Sequence, residues 1–191
     1  MTPESLHEQL LRAFACVAAA HSATYVSGPI TTGRRFLHWY AKSGHSIGQN
    51  TAEYRKTVLQ EVISPNERDL AQLARQVRQS TTDVVIEPTP LMIPGWSQSE
   101  FHQFWVDLIA RFCRRMIVID GWQYSAGCAI EFRQGVQMGI PVQDPRGREV
   151  TLSEGQALIL RAAHEIGSVN DVHEDGPLRA LGHRLQRAAD L

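Results

Sequence analysis

Apolar residues along the chain alternate between helical and strand-like spacing, which is typical of a parallel sheet covered by helices. Residues 3 to 20 carry an apolar residue every three or four positions, and this spacing predicts a first helix. The β-branched and aromatic run "ATYVS", residues 23 to 27, predicts the first strand. Between residues 31 and 63 the pattern indicates neither a single helix nor a strand, because Gly44 and Gly48 interrupt a possible short helix. This segment is a candidate lid.

The middle of the chain repeats the alternation. A helix is predicted over residues 65 to 79, leading to a strand at "DVVIEP", residues 83 to 88. Ser97 and Glu100 form a capping box that begins a second long helix with one apolar stripe. The run "RMIVID", residues 115 to 120, is of the fully buried strand type, which is common in parallel sheets.

The last part of the chain predicts one more core strand and two further helices. "SAGCAIEFRQGVQMG", residues 125 to 139, reads as a helix, and "IPVQD", residues 140 to 144, as the last core strand. A short hairpin around "DPRGREV" precedes helices at about 153 to 167 and 177 to 190.

The predicted fold is therefore α/β, a single domain over residues 1 to 191 with a largely parallel sheet flanked by helices. This arrangement is similar to flavodoxin and Rossmann folds. Its core covers about residues 23 to 144, with an N-terminal helical extension and a C-terminal one at about 153 to 190. A length of 191 residues suits one domain with a continuous hydrophobic core.

Charge and cysteine content narrow the classes of partner. With 19 basic and 20 acidic residues, the net charge of -1 gives no long-range attraction to nucleic acid polymers or anionic membranes. Cysteines at 16, 113 and 128 form no CxxC pair and are odd in number, which fits a reduced, cytoplasmic protein. The apolar stretch "AFACVAAA" is too short to span a bilayer and follows acidic residues, so neither a membrane span nor export is expected.

The first strand opens into a loop, "TYVSGPITTGRRF", that is rich in glycine, hydroxyl and guanidinium groups. The spacing from Gly28 to Gly33 nearly matches a phosphate-binding loop, but Arg34 and Arg35 stand where that motif requires Lys and then Ser or Thr. A nucleoside triphosphatase is therefore excluded. Two interpretations remain: a loop that binds an anion such as a sugar phosphate, or a polar turn with two solvated arginines.

The phrase "SAGCAIE" places Ser125, Gly127 and Glu131 on a turn that enters a helix. Backbone N–H groups at such a helix start bind anions, and Gly127 lets a ligand approach the main chain. The helix dipole is expected to keep Glu131 ionised, which would make it a nucleophile. Asp107, upstream, would be a second carboxyl group, and a pair of carboxyl groups is the usual catalytic pair that cleaves a glycosidic bond.

Together, "YVSGPITTGRR" and "DGWQYSAGCAIEFRQGVQMGIPV" resemble the nucleoside 2-deoxyribosyltransferase family, including its N-hydrolase branch that cleaves deoxynucleoside monophosphates. That family has an aromatic-x-Gly/Ser-Gly-x-Ile loop, followed downstream by Ser-x-Gly-x-x-x-Glu and a helix running into Gly-x-Pro-Val. The matching downstream residues here are Ser125, Gly127, Glu131, Gly139, Pro141 and Val142. The resemblance covers about residues 23 to 144.

The resemblance implies a role for each matching position. Glu131 corresponds to the nucleophile that attacks C1′, and Asp107, 24 residues earlier, to the carboxylate that assists departure of the base. Ser125 and Gly127 would hold the 5′ end of the sugar. The first loop would form the other side of the pocket, through Tyr25, Ser27, Gly28, Ile30, Thr31, Gly33 and Arg34.

The resemblance also implies the reaction. It predicts cleavage of the N-glycosidic bond of a nucleoside or a nucleoside 5′-monophosphate, with hydrolysis preferred and no cofactor. Arg34 and Arg35, beside the loop that would face the 5′ position, favour the monophosphate. Base exchange by a transferase and a non-catalytic nucleotide or ADP-ribose sensor are the alternatives. Because members of the family commonly complete each active site with a neighbouring chain, a homo-oligomer is expected.

Simpler interpretations stand beside these roles. A surface pair with Arg111 explains Asp107 equally well, and Asp120, at a strand end, is the substitute carboxylate. An exposed Glu131 paired with a neighbouring helical residue is the alternative to a nucleophile. Trp122 could stack on a base or close the core, as could the apolar lip at Met92, Ile93 and Trp96.

The eight histidines prompt the question of a metal site. The densest group is His164, Glu165, Asp171 and His173, but it has no HExxH motif and no regular ligand spacing. The segment reads as a solvated connector, and no metal is expected.

Overall fold

The computed structural model describes residues 5–169 and 176–190. Four strands form one sheet in the order β2-β1-β3-β4, and every neighbouring pair is parallel. The strands are β1 (Ala23–Ser27), β2 (Val85–Ile86), β3 (Cys113–Val118) and β4 (Val142–Gln143). The predicted α/β fold with a largely parallel sheet is confirmed, and this strand order is compatible with a flavodoxin-like arrangement.

Helices flank the sheet and follow the predicted order. They are α1 (Leu6–Ala15), α2 (Arg34–Lys42), α3 (Ala52–Val58), α4 (Ser64–Ser80), α5 (Gln98–Phe112), α6 (Ala126–Gln137), α7 (Leu152–Ser168) and α8 (Pro177–Asp190). Short 3-10 turns occupy Gly44–Ser46 and Trp122–Tyr124. Among the described residues no helix combines the length and the apolar character that a bilayer span requires.

The first helix ends at Ala15, five residues before its predicted end at Ala20. The chain has to turn back into β1, and it does so through His21, whose φ is 51°. The backbone N–H of His21 donates to the carbonyl of Arg111 at the end of α5, which anchors the turn. Tertiary contacts therefore end a helix that its alanine-rich sequence would otherwise continue.

The prediction that residues 31 to 63 form a lid is wrong for the first half of the segment, because α2 packs in the hydrophobic core. Its side chains Phe36, Leu37, Trp39 and Tyr40 are all buried in the main hydrophobic cluster. The rings of Phe36, Trp39 and Tyr40 pack against one another at centroid distances of 5.7 to 6.3 Å. This packing holds the helix on the domain.

A π-helical turn, Leu59–Ile63, joins α3 to α4, so that the chain stays helical from residue 52 to residue 80. Pro65 lies at the start of α4. Proline has no N–H, and its ring clashes with the carbonyl four residues earlier in a regular α-helix. The wider π turn accommodates Pro65 without breaking the helix.

The outer strands are shorter than predicted. Only Val85 and Ile86 of the predicted strand 83–88 pair with β1. The ends of that segment are used differently: Asp83 accepts a hydrogen bond from Thr24 and forms an ion pair with Arg114, and Pro88 lacks an N–H for a ladder.

The C-terminal helices belong to the same core as the sheet. A capping box of Thr151 and Glu154 begins α7, and α8 packs against both α7 and α6. The buried face of α8 includes Leu178, Leu181, Leu185, Ala188 and Ala189, all within the main cluster. The predicted C-terminal extension is thus packed onto the domain rather than appended to it.

Gly155 allows α7 to approach α6 closely. A Cβ at this position would lie 2.0 Å from the ring of Phe132, which is fully buried and stacks on Trp122 at 4.5 Å. Gly155→Ala is expected to lower the free energy of unfolding by about 1–3 kcal/mol through overpacking. Gly167→Ala on the same helix is the matched control, because open space surrounds that position. The control should be neutral or stabilising by up to about 1 kcal/mol in denaturant unfolding, and equal effects would contradict the explanation.

Candidate active site

Glu131 is a buried carboxylate that accepts two side-chain hydrogen bonds. The Tyr25 hydroxyl donates to Oε1 at 3.0 Å, and the Ser27 hydroxyl donates to Oε2 at 2.6 Å. Glu131 is only 8% exposed, and both donors are fully buried. The alternative of an exposed Glu131 paired with a neighbouring helical residue is therefore wrong.

The elements explain how three distant positions meet. Tyr25 and Ser27 are two residues apart on β1, so their side chains point to the same face of the sheet. Glu131 lies on α6, which follows β3, the direct neighbour of β1. Since β1 and β3 are parallel, the segments that follow them meet at one edge of the sheet, where ligands of such folds usually bind.

Burial determines the charge state of Glu131. Removal from water raises the pKa of this carboxyl from 4.5 to about 7, although the hydrogen bonds from Ser27 and Tyr25 act to lower it. The expectation that the helix start keeps Glu131 ionised is corrected, because desolvation outweighs the favourable interactions. Near pH 7 both protonation states of this group are populated.

The Tyr25 hydroxyl and the Cys128 thiol, the two ionisable groups beside Glu131, both stay protonated. Burial, followed by the charge of Glu131, raises the pKa of the Tyr25 hydroxyl well above its ordinary value, so Tyr25 remains a donor. Burial, again with the charge of Glu131, raises the pKa of the Cys128 thiol to about 12, so this thiol is a poor nucleophile.

Glu131 faces a cavity of about 310 Å³ shared with the loop that follows β1. The first-loop residues on its wall are Gly28, Ile30, Thr31 and Thr32, and the α6 residues are Ser125, Ala126, Gly127, Cys128 and Glu131. The remaining wall is formed by Glu67, Pro88, Thr89, Leu91, Met92, Gln98, Phe101, His102, Trp105, Leu181 and Arg184. The structure thus brings together most of the two motifs that the sequence singled out.

The first loop is held in place by its neighbours. Asn66, itself buried, donates through its side-chain amide to the carbonyls of Ile30 and Thr32 at 2.9 and 3.0 Å. Gly28 leaves no room for a side chain, since a Cβ there would lie 2.8 Å from Ile119 and 2.9 Å from Leu70. The loop is therefore a preformed wall of the cavity.

Arg34, Asp120 and Gly33 lie outside this cavity. Arg34 and Asp120 form an exposed ion pair at 3.4 Å in a second, polar cleft of about 280 Å³, next to Arg35. Arg34 also lies over the Tyr124 ring at 5.1 Å, and Gly33 is the N-cap of α2 with a φ of 94°. This placement argues against the predicted binding roles of Gly33, Arg34 and Asp120, and against Asp120 as the substitute carboxylate.

Asp107 also lies away from the cavity. One carboxylate oxygen is 2.9 Å from Nε2 of His7 on α1, and the other accepts from Gln103 at 3.0 Å. Asp107 is not among the residues that line the cavity with Glu131. The helical face of α5 that reaches the cavity carries Phe101, His102 and Trp105, so Asp107 is turned toward α1 instead. This placement argues against its predicted role in base departure.

Trp122 belongs to the core rather than to the cavity wall. It is 4% exposed and stacks on Phe132, which argues against stacking on a substrate base. The residues of the apolar lip have different positions. Met92 lines the cavity and is 85% exposed, as a residue that covers a ligand would be. Trp96 packs against Phe101 and Phe104 and so closes the core.

Three ionisable residues on the cavity wall were missed in the sequence: Glu67, His102 and Arg184. They come from α4, α5 and α8, and no local motif marks them. His102 lies against the first turn of α6, since a Cβ on Gly127 would be 3.0 Å from its Nε2. Burial and the nearby charge of Arg184 lower the pKa of His102, which favours its neutral form.

Metal binding finds no support in the described part of the chain, where no group of three His, Cys, Asp or Glu side chains is arranged to hold an ion. Asp171 and His173 lie outside the described residues. All three cysteines are free, with Cys113 and Cys128 buried and Cys16 exposed.

The fold and the site together define an α/β protein with a protonatable carboxylate in a cavity at the carboxyl edge of a parallel sheet. Comparison of the chain with protein-family models, with curated proteins and with solved structures gives no match. The resemblance to the nucleoside 2-deoxyribosyltransferase family therefore rests on the two motifs alone.

Proposed function

We propose that this protein cleaves the N-glycosidic bond of a nucleoside or nucleoside 5′-monophosphate, with Glu131 as the nucleophile and water as the preferred acceptor. The observation that carries the proposal is the position of Glu131 at the wall of a cavity shared with the first loop, oriented by Tyr25 and Ser27. A carboxylate held by two donors has one defined orientation, which a nucleophile requires.

In the proposed reaction the ionised carboxylate attacks C1′ as the bond from C1′ to the base nitrogen breaks. The base leaves with the bonding electrons and takes up a proton, and the sugar remains as an ester on Glu131. Water then attacks C1′ as the bond from C1′ to the Glu131 oxygen breaks, and it gives one proton back to the group that protonated the base. This step releases the sugar and restores the carboxylate. Two displacements at one carbon retain its configuration.

Glu67 is the proposed proton donor for the departing base, in place of Asp107. It lies on the cavity wall beside Thr89, and within residues 5–169 and 176–190 it has no hydrogen-bond or ion-pair partner. A carboxyl group without a competing partner is available to share a proton with a ligand.

Exchange of the second carboxyl group tests this assignment. Asp107→Asn is expected to leave kcat and KM within about threefold of wild type, because its contacts with His7 and Gln103 lie away from the cavity. Glu67→Gln is expected to lower kcat by about 100-fold, the usual contribution of a general acid. Steady-state rates of base release check both values. A large loss in Asp107→Asn with none in Glu67→Gln would restore the original assignment.

Covalent trapping tests the proposed function itself. The protein is incubated with 2′-fluoro analogues of the common nucleosides and nucleoside monophosphates, and its intact mass is measured. An adduct of one fluorinated sugar on the peptide that contains Glu131, absent from Glu131→Gln, is the expected result. Base release from natural substrates without an adduct would contradict a covalent mechanism, and release into a second added base would identify a transferase.

A non-catalytic sensor is the second candidate, favoured by the pKa of about 7 of Glu131. At that pKa the neutral acid is well populated and can donate a hydrogen bond to a ribose hydroxyl. A sensor would bind nucleosides or ADP-ribose but would release no base and form no adduct.

A further inference from the structure

The C-terminal helix α8 places a cation at the cavity. Arg184 and Leu181, one turn apart on α8, both line the wall that includes Glu131. The helix is fixed by its buried face, which includes Leu178 and Leu185. Arg184 itself is exposed, so its guanidinium meets both the cavity and solvent.

No carboxylate neutralises Arg184 in the part of the chain that the structure describes. The arginines predicted to bind phosphate differ in this respect, since Arg34 pairs with Asp120 and Arg35 with Asp69 at 2.7 Å. Both of those pairs lie in the second cleft. Within residues 5–169 and 176–190, Arg184 is therefore a cavity-lining guanidinium without a carboxylate partner.

Arg184 lines the same cavity as the first turn of α6. Its charge acts on His102, and Nε2 of His102 faces Gly127. Ser125 and Gly127 at the start of α6 line the same wall, and the N-terminal end of a helix favours negative charge. A guanidinium, an imidazole and a helix start thus face one part of the cavity.

This part of the cavity is close to the proposed nucleophile. Gly127 and Glu131 are four residues apart and lie on the same face of α6, about 6 Å from each other along the helix. One pentose ring with a 5′ substituent spans a distance of this order. An anionic group bound near Gly127 would leave the sugar beside Glu131.

We propose that Arg184, supplied by the C-terminal helix of the same chain, binds the 5′-phosphate of the substrate and makes the cavity selective for nucleoside monophosphates over nucleosides. The proposal rests on the function proposed above. It replaces Arg34 as the group that recognises phosphate, and it gives α8 a direct part in the site. His102 and the start of α6 contact the same phosphate.

Substitution of Arg184 tests the proposal through substrate selectivity. The probes are the four common 2′-deoxynucleoside 5′-monophosphates and the matching deoxynucleosides. Arg184→Ala is expected to lower kcat/KM for the preferred monophosphate by about 10- to 100-fold, mainly through KM, and to leave the nucleoside unaffected. Arg184→Lys should recover part of the loss, since it keeps the charge but loses the bidentate geometry.

Arg187→Ala is the matched control, because Arg187 is exposed on the same helix and does not line the cavity. Arg187→Ala and Arg34→Ala are both expected to retain wild-type selectivity. Equal losses for phosphorylated and unphosphorylated substrates in Arg184→Ala, or a selective loss in Arg34→Ala, would overturn the proposal.

Binding to Glu131→Gln separates this proposal from the proposed function. Calorimetric titration of that variant with the same monophosphates and nucleosides involves no turnover. Tighter binding of monophosphates that is lost on adding Arg184→Ala supports phosphate recognition even if the wild type releases no base. Base release by the wild type with equal affinity for both ligand sets in Glu131→Gln would overturn phosphate recognition and leave the glycosidase proposal intact.

Discussion

Glu131→Gln is expected to lower the rate of base release by on the order of 10⁴-fold or more, the scale at which loss of a covalent nucleophile acts in other enzymes. The glutamine amide has nearly the shape of the carboxyl group, and its oxygen can still accept a hydrogen bond from Tyr25 or Ser27. The amide cannot attack C1′ to form an ester. The loss should therefore appear in kcat, with little change in KM.

The measurement is base release under saturating substrate, with far-UV circular dichroism to confirm the fold. Glu149→Gln is the matched control: it makes the same chemical change at an exposed glutamate outside the cavity. It should keep wild-type activity. If Glu131→Gln retained more than about a tenth of the rate, a loss of only ~1.4 kcal/mol in transition-state stabilisation, Glu131 would not be the nucleophile.

Local pattern was enough to predict the α/β fold and the helix start that carries Ser125, Gly127 and Glu131. The reason is that strand and helix periodicity, capping boxes and glycine positions are encoded within a few residues. The contact between Glu131 and Tyr25, which are 106 residues apart, follows once β1 and β3 are neighbours in a parallel sheet. In this respect the site is a consequence of the topology.

Other features depend on packing between distant elements, which no local pattern records. The orientation of Asp107 is set by α1, because His7 is its partner across 100 residues. Arg184 reaches the cavity only because α8 packs against α6 and α7. The prediction that the helix start keeps Glu131 ionised did not include burial, which raises the pKa of this carboxyl to about 7. The helix start is visible in the sequence, but the degree of burial is not.

Because the pKa of Glu131 is raised, we expect both the rate of base release and the free energy of unfolding to depend on pH. Because the nucleophile must be ionised, kcat/KM is expected to rise with pH. The midpoint of this ascending limb of the pH–rate profile should lie near pH 7. Ser27→Ala removes a hydrogen bond that favours the charged form, so the limb should move to higher pH. A limb near pH 4.5 in the wild type would contradict the burial of the ionising group.

The same group should destabilise the folded protein as pH rises. Its folded-state pKa, about 7, lies above its ordinary value of 4.5, so between these values the folded state binds more protons than the unfolded state. The stabilising contribution of the protonated form is complete below pH 4.5 and is lost by the time pH exceeds 7. The full difference corresponds to roughly 3 kcal/mol.

The difference between wild type and Glu131→Gln isolates this effect, because all other titrating groups are shared. Denaturant unfolding at pH 5 and at pH 8 is expected to show Glu131→Gln gaining stability relative to wild type, by ~2–3 kcal/mol at the higher pH. A neutral amide has no charge to desolvate, so the variant lacks the penalty. A stability difference that is the same at both pH values would mean that Glu131 ionises as it would in water, and the pH–rate limb near 7 would then need another group.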